Sequence, residues 1–514
     1  MKEAAWGRAR EAGGHATSRR LRVPGPVLWT AAVSLVAVLW MTFVMPMGDA
    51  LDEAEHAYRA YQLALGHLFP QFFSCVAHPK AAACTAQTGR LVPLRRVGGQ
   101  IDTAFYHVLH RLFRESLTSQ GTHFNPASYA AFFKLTLGGP STVFAHFENT
   151  VLYSPLNYAP QTVVFFFGRV LSAPVLATLF IARLIAGLVW AALVTSSVAL
   201  MRRWRWLWVT VVLVPTALAQ GPSLSSDSVV FGVVSVAVAY ALRLAHAGEP
   251  LRRSQIARLS ALGLALGLLK FPIPLVAFAV AVLVWPLIGR GRARSAALAA
   301  LVGPCLAATA WWNATIDKYF LPYRNTVFNA SERHYISQHA QVHYILTHLV
   351  EVPGLLWKTL TVGRLFQVDG TVGTYGTHFF SGWFAVPWLI VAALFVLTYA
   401  ERDGPPPRMR VALAGLLVVC LLVTVFALYL TWNGVGAPYI QGVQGRYFAP
   451  LLVLFVPLLV GAVRVSWSAP PWAAPAAAMT LSGVGALFLF ETTAWTYYHQ
   501  AAWQVAPRVV SQLF

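Results

Sequence analysis

An all-α, polytopic membrane protein with about eleven transmembrane helices is the architecture to expect from this chain, on three grounds. Of 514 residues, 57% are hydrophobic and only 11% charged, where a soluble globular chain would carry roughly 25% charged. Apolar runs long enough to cross about 30 Å of hydrocarbon recur from end to end. The short connections on one side of those runs are all rich in Arg, as cytoplasmic loops are. A net charge of +20 would point to nucleic acid in a soluble chain. In so apolar a sequence the expected partner is the lipid bilayer, with no nucleic acid.

A basic arm, 1–26, leads into the first span, 27–45. That run lacks a small-x-small cleavage site before Asp49, so it reads as a retained helix rather than a signal peptide. Residues 46–173 form a long outer loop with an acidic motif and an interfacial helix. Helices two to seven occupy 174–312, with spans at 174–200, 206–220, 227–245, 256–271, 273–288 and 296–312. A second outer loop covers 313–380. Helices eight to eleven, at 381–399, 411–430, 447–463 and 473–491, precede an outer tail, 492–514. This order puts the Arg-rich connections inside, with the N-terminus cytoplasmic and the C-terminus outside.

Long loops in a compact protein are usually functional. Of 15 histidines only His15 and His246 fall in cytoplasmic segments, and twelve of the 18 acids lie outside. The working face is therefore expected to be the outer one. Cys75 and Cys84 share the first outer loop, where an oxidising exterior would allow a disulfide; two free thiols are the alternative. No CxxC or zinc-ligand spacing, nucleotide-binding glycine signature or internal repeat is present.

The stretch after the first span, MGDALDEAEHAYR from Met47 to Arg59, holds four acids within seven positions. If it is helical, Asp49, Asp52, Glu53 and His56 share one face, with Tyr58 and Arg59 near its edge. Crowded carboxylates at the lip of a bilayer raise one another's pKa toward general-base range or bind a cation. The plainer alternative is an acidic cap of an interfacial helix.

YSPLNYAPQ, Tyr153 to Gln161, opens an apolar segment ending at Arg169. Treating it as a full crossing would reverse the charge bias of the later loops, so it reads as an in-plane amphipathic helix. Tyr153 and Tyr158 are then ligand contacts or simple interface aromatics. Arg183 in the second span, Asp227 in PSLSSD and Lys270 in LLKFP are ionisable groups within or at membrane boundaries, and such groups are functional candidates. Against that stand a structural ion pair for Arg183 and snorkelling for Lys270. Arg446, in QGRYF beside Tyr447, offers a guanidinium that can fork onto a phosphate or anchor a helix end to lipid headgroups.

The ordered set DExxH after the first span, YSPLNYAPQ, the Arg183-Leu184 step, SLSSD, LLKFP and QGRYF resembles a family of bacterial multi-pass membrane proteins of unknown function. Those in turn resemble GT-C-fold glycosyltransferases, and the likeness spans most of residues 40–455. A GT-C-like fold implies a transferase of the bacterial inner membrane. Its donor would be a polyprenyl-phosphate-linked sugar, its acceptor a glycan or protein, and its active site would face outward. The resemblance also implies that an acid of the first outer loop is the base, here Asp52 or Glu53 with Asp49 as alternate, and that the in-plane helix is 154–168.

This chain has no Asp-x-Asp and carries YSPL where the commoner pattern has His-Pro-Pro-Leu. The base and any need for a divalent cation such as Mg²⁺ or Mn²⁺, with Asp52, Glu53 and His56 as its ligands, stay open. His56, Arg59, Tyr153, Tyr158, Gln161, Arg183, Asp227, Lys270, Arg446 and Tyr447 are the expected substrate-binding set.

Glycosyl transfer needs a base for the acceptor hydroxyl and cations for the departing phosphate. The rivals are a transporter or flippase of lipid-linked sugars, which should show paired charges at the midplane, and a non-catalytic envelope-assembly protein. An intramembrane metalloprotease is disfavoured because no second histidine follows His56 at i+4.

Overall fold

The computed structural model describes residues 23–50, 52–75, 77, 95–118, 124–321, 336–361, 374–375, 378–379, 404–460, 470 and 472–513. The expected span at 381–399, the basic arm as far as residue 22 and Cys84 lie outside these residues. Six described helices are long and apolar enough to cross a membrane: Gly25–Phe43 (α1), Val175–Leu200 (α5), Asp227–Ala247 (α8), Arg292–Tyr319 (α11 with its final turn), Pro407–Trp432 (α14) and Ala473–Tyr498 (α16). Each matches an expected apolar run, and the 26-residue helices extend about 39 Å, enough to cross with tilt.

The other expected spans are shorter or broken. Residues 206–220 form two helices, Arg205–Val212 (α6) and Pro215–Gln220 (α7). The break has a local cause: Pro215 pushes Val214 out of the helical region, to φ −60 and ψ 145. Arg253–Gly267 (α9) has 15 residues, and the next apolar helix, Ile273–Leu287, includes Val276–Val284 (α10). Of the expected span at 447–463, the described part, 447–460, holds 3₁₀ turns and Phe455–Leu459 (α15), with Pro450 and Pro457 interrupting regular helix.

Two contact surfaces hold this bundle. Helix α5 packs on both α1 and α8. Helix α9 meets α11 through Gly263 and Gly267, four residues apart, where a Cβ would sit 2.6 Å from the Leu301 carbonyl oxygen and 2.4 Å from that of Cys305. Small residues at that spacing let two backbones touch. Ser260 Oγ donates to Ala300 O at 2.6 Å and Thr309 Oγ1 to Gly267 O at 3.0 Å across the same seam.

The first outer loop adds a small sheet to a mostly helical chain. Between Glu53–Ala64 (α2) and Thr103–Thr118 (α3) run Gln71–Ser74 (β1) and Arg95–Asp102 (β2), and β2 also pairs with Thr142–His146 (β3). The sheet is antiparallel, in the order β1-β2-β3, with Gly98 opposite both Gln71 and His146. Four to eight residues with glycines and charges, as in RRVGGQID, carry too little apolar periodicity to stand out in a chain dominated by membrane helices. A Cβ at Gly98 would lie 1.9 Å from Ala145 O, so that crossing requires glycine.

Helix α2 packs against β2 and against Ala159–Val170 (α4). At 12 residues, α4 is about 18 Å long, too short to cross, and it exposes Val163, Phe166, Phe167 and Val170. Cys75 is disulfide-bonded, with its partner outside the described residues, while Cys305 and Cys420 are free.

Candidate functional site

Asp52 precedes α2 in a left-handed conformation, φ 58 and ψ 22, which Asp tolerates better than most residues. This turn separates the two acids of the DExxH motif. Glu53 enters the core, 0% exposed, and Arg183 grips both its oxygens, with Nε at 2.8 Å from Oε1 and Nη2 on Oε2. Backbone N–H groups of Gly48 and Leu224 also donate to Glu53, at 2.9 and 3.1 Å. Burial opposes its ionisation, but the guanidinium and these donors hold its carboxyl below the usual range. Arg183 also donates to the carbonyls of Met45 and Pro46, at 2.8 and 2.9 Å. The structural ion pair is therefore what Arg183 makes. Asp49, buried on the same side, contributes to the field at that guanidinium.

Asp52 points the other way. Its Oδ2 accepts from Arg446 Nη2 at 2.7 Å, a contact spanning 394 positions of sequence. Arg446 Nη1 lies 3.7 Å from Asp227 Oδ2, and Asp227 Oδ1 pairs with Lys270 Nζ. The result is an alternating row, Asp52, Arg446, Asp227, Lys270, drawn from four distant segments. Tyr447 stands beside both cations, its ring centroid 5.4 Å from Arg446 Cζ and 5.7 Å from Lys270 Nζ. The row is buried except at one end: the side chains of Arg446, Asp227 and Lys270 are 4%, 8% and 10% exposed, and that of Asp52 41%. Asp52 is the exposed end of the row.

Neighbouring motifs set this geometry. Asn157 Nδ2 donates to Leu268 O at 3.0 Å, and its Oδ1 accepts from the Lys270 N–H at 3.3 Å. Ser154 Oγ also donates to Leu268 O. YSPLNY thus clamps the LLKFP turn from which Lys270 projects. Gln161 Nε2 donates to Ser225 O at 3.2 Å, tying α4 to the SLSSD loop, while the Asp227 N–H donates to Ser225 Oγ at 3.1 Å. His56 Nδ1 and Tyr158 OH are hydrogen-bonded at 2.7 Å, and the His56 ring stacks on Tyr153 with centroids 5.9 Å apart. Burial pushes His56 down to about 4, so it is neutral at pH 7.

Several expected roles change. Asp49, Asp52, Glu53 and His56 do not share one helical face, because α2 starts at Glu53 and Asp52 turns away. Arg59 is fully buried and donates from Nη1 to Gln62 Oε1 and from Nη2 to Leu68 O, which closes the far end of α2 rather than facing the row. Among the described residues no group of three or more His, Cys, Asp or Glu converges as metal ligands. Asp52, Glu53 and His56 do not fit a divalent ion, since Glu53 is taken by Arg183 and His56 by Tyr158.

Within YSPLNY the aromatics draw attention in the sequence, whereas Ser154 and Asn157 make the clamp. Glu55 is a further group outside the expected set: burial, followed by the adjacent Asp52 carboxylate, pushes it up to about 7. Its signal in the sequence is the run of acids itself, since crowded carboxylates disfavour one another's ionisation.

No curated protein and no solved structure matches the chain. The family described as "Predicted membrane protein (DUF2142)" matches residues 35–455, from within α1 to the start of α15, and takes in every residue of the row. The chain is a membrane protein and belongs to that family.

Proposed function

We propose that this protein is an integral membrane glycosyltransferase that moves a sugar from a polyprenyl-phosphate carrier to an acceptor hydroxyl, on the outer face, in cell-envelope glycan assembly. One observation carries the reading: Asp52, half-exposed, meets the buried cations Arg446 and Lys270 in one row with Asp227. Carboxylate and cations side by side are what the chemistry needs, a proton acceptor next to an anion-stabilising pair.

In this scheme the lipid phosphate docks on Arg446 and Tyr447 and competes with Asp52 for the guanidinium. Released from that pairing, the Asp52 carboxylate takes the acceptor hydroxyl proton. The acceptor oxygen bonds to the anomeric carbon as the carbon–oxygen bond to phosphate breaks. The bonding pair leaves with the phosphate, whose charge Arg446 and Lys270 stabilise. A single displacement inverts the anomeric centre. Asp227 keeps Lys270 and Arg446 aligned, Glu55 sits next to Asp52 as a protonatable neighbour, and no step passes through a metal.

The test is transfer from labelled polyprenyl-phosphate sugars in membrane fractions. Asp52→Asn is expected to lower turnover by about a hundredfold or more, the usual scale of a lost base, at normal protein abundance. Arg446→Lys, which keeps the charge but loses the fork, should weaken donor use most. Full activity in Asp52→Asn removes the base assignment. Labelling of a cysteine placed at Asp52 from the cytosolic side only would remove the outward orientation.

A further inference from the structure

At the other end of the spans lies a recess of about 380 Å³, where the C-terminal ends of α5 and α8 meet the start of α9. Arg202, Arg243, Arg252 and Arg258 line it with a single acid, Glu249, and with Tyr240. Asp227 of the row opens α8 and Arg243 lies on its last turns, about 24 Å further along the axis at 1.5 Å per residue. The recess therefore sits near the opposite membrane surface from the Asp52 row.

Glu249 Oε2 is 3.4 Å from Arg252 Nη2. Among the described residues Arg202, Arg243 and Arg258 make no ion pair. Four guanidiniums around one carboxylate leave a net positive lining, whose mutual repulsion a bound anion would relieve. A second observation is independent of charge. Tyr240 is 9% exposed and its hydroxyl, buried in the wall of the recess, has no hydrogen-bond partner. A buried hydroxyl normally has one, and a phosphate oxygen entering between the arginines would supply it. Leu200, Leu244 and Ala247 complete the wall, so the same recess offers apolar surface to the start of an acyl or prenyl chain.

We infer that this recess is a binding site for a phosphorylated lipid headgroup, preferring one that carries more than a single negative charge. Basic pockets between spans on the cytoplasmic side suit such headgroups, and the guanidinium fork suits phosphate. The inference holds whether or not the chain is a transferase.

The experiment uses the purified full-length protein in nanodiscs of phosphatidylcholine doped with cardiolipin, phosphatidylglycerol or neither, with native mass spectrometry counting retained lipid. Inorganic pyrophosphate is added in a parallel arm. Retention is expected in the order cardiolipin, phosphatidylglycerol, phosphatidylcholine. The exposed-arginine variants Arg243→Gln and Arg258→Gln should each lower cardiolipin retention about fivefold. Tyr240→Phe, which keeps the ring, should lower it measurably while melting like the wild type. If pyrophosphate binds with the same variant sensitivity and cardiolipin does not, the phosphate site stands and its ligand is soluble. Equal retention of all three lipids with no pyrophosphate binding, or unchanged retention in all three variants, overturns the inference.

Discussion

Glu53→Gln should cost the protein its fold, whereas Asp52→Asn, one position earlier, should leave the fold intact and remove activity. Glu53 and Arg183 are both 0% exposed, and two backbone N–H groups complete the carboxylate's bonds. Neutralising Glu53 leaves a buried guanidinium facing the carbonyls of Met45 and Pro46. Removing one partner of such a pair costs about 3–5 kcal/mol, roughly two to four powers of ten in the folded fraction and a large share of a total of about 5–15 kcal/mol. Asp52 is 41% exposed, and without it Arg446 still has Asp227 Oδ2 at 3.7 Å, so neutralising Asp52 strands no buried charge and costs less. Fluorescence-detected size exclusion of a tagged protein in mild detergent, followed by thermal melting, separates the two outcomes. The double variant Glu53→Leu with Arg183→Leu should recover much of the loss, because two apolar side chains can replace a buried pair. A Glu53→Gln variant that elutes and melts like the wild type, with no recovery in the double variant, would refute the structural assignment.

Asn157→Ala should lower melting by about 1–3 kcal/mol equivalent, the cost of orphaning the Lys270 N–H, while Leu268 O keeps Ser154 Oγ, and should reduce transfer without Asn157 lying in the charged row. Gly267→Leu should separate α9 from α11, since even a Cβ there falls 2.4 Å from Cys305 O. Overpacking of this kind costs about 1–3 kcal/mol or more, read as a lower melting temperature. Glu55, pushed up to about 7, binds its proton more tightly folded than unfolded, where its pKa is about 4.3. Its contribution is thus complete below the unfolded value and is lost as pH rises through about 7. Glu55→Gln should flatten the melting profile between those limits; an unchanged slope would show that Glu55 is ionised throughout.

Membrane embedding and the positions of six long helices could be read from the chain because each rests on one segment's own apolar content against lipid, a property that needs no partner. Candidate polar groups were legible for the same reason: Asp227, Lys270 and Arg446 are conspicuous where charge is expensive. Their mutual pairing was not. Asp52 and Glu53 look equivalent on paper, yet a left-handed turn at Asp52 sends one toward Arg446 and the other into the core against Arg183. The sheet around Gly98 and the Asn157 clamp on Lys270 likewise depend on neighbours far away in sequence. A carboxylate's role follows from which cation reaches it and how much water is excluded, and those are set when remote segments pack.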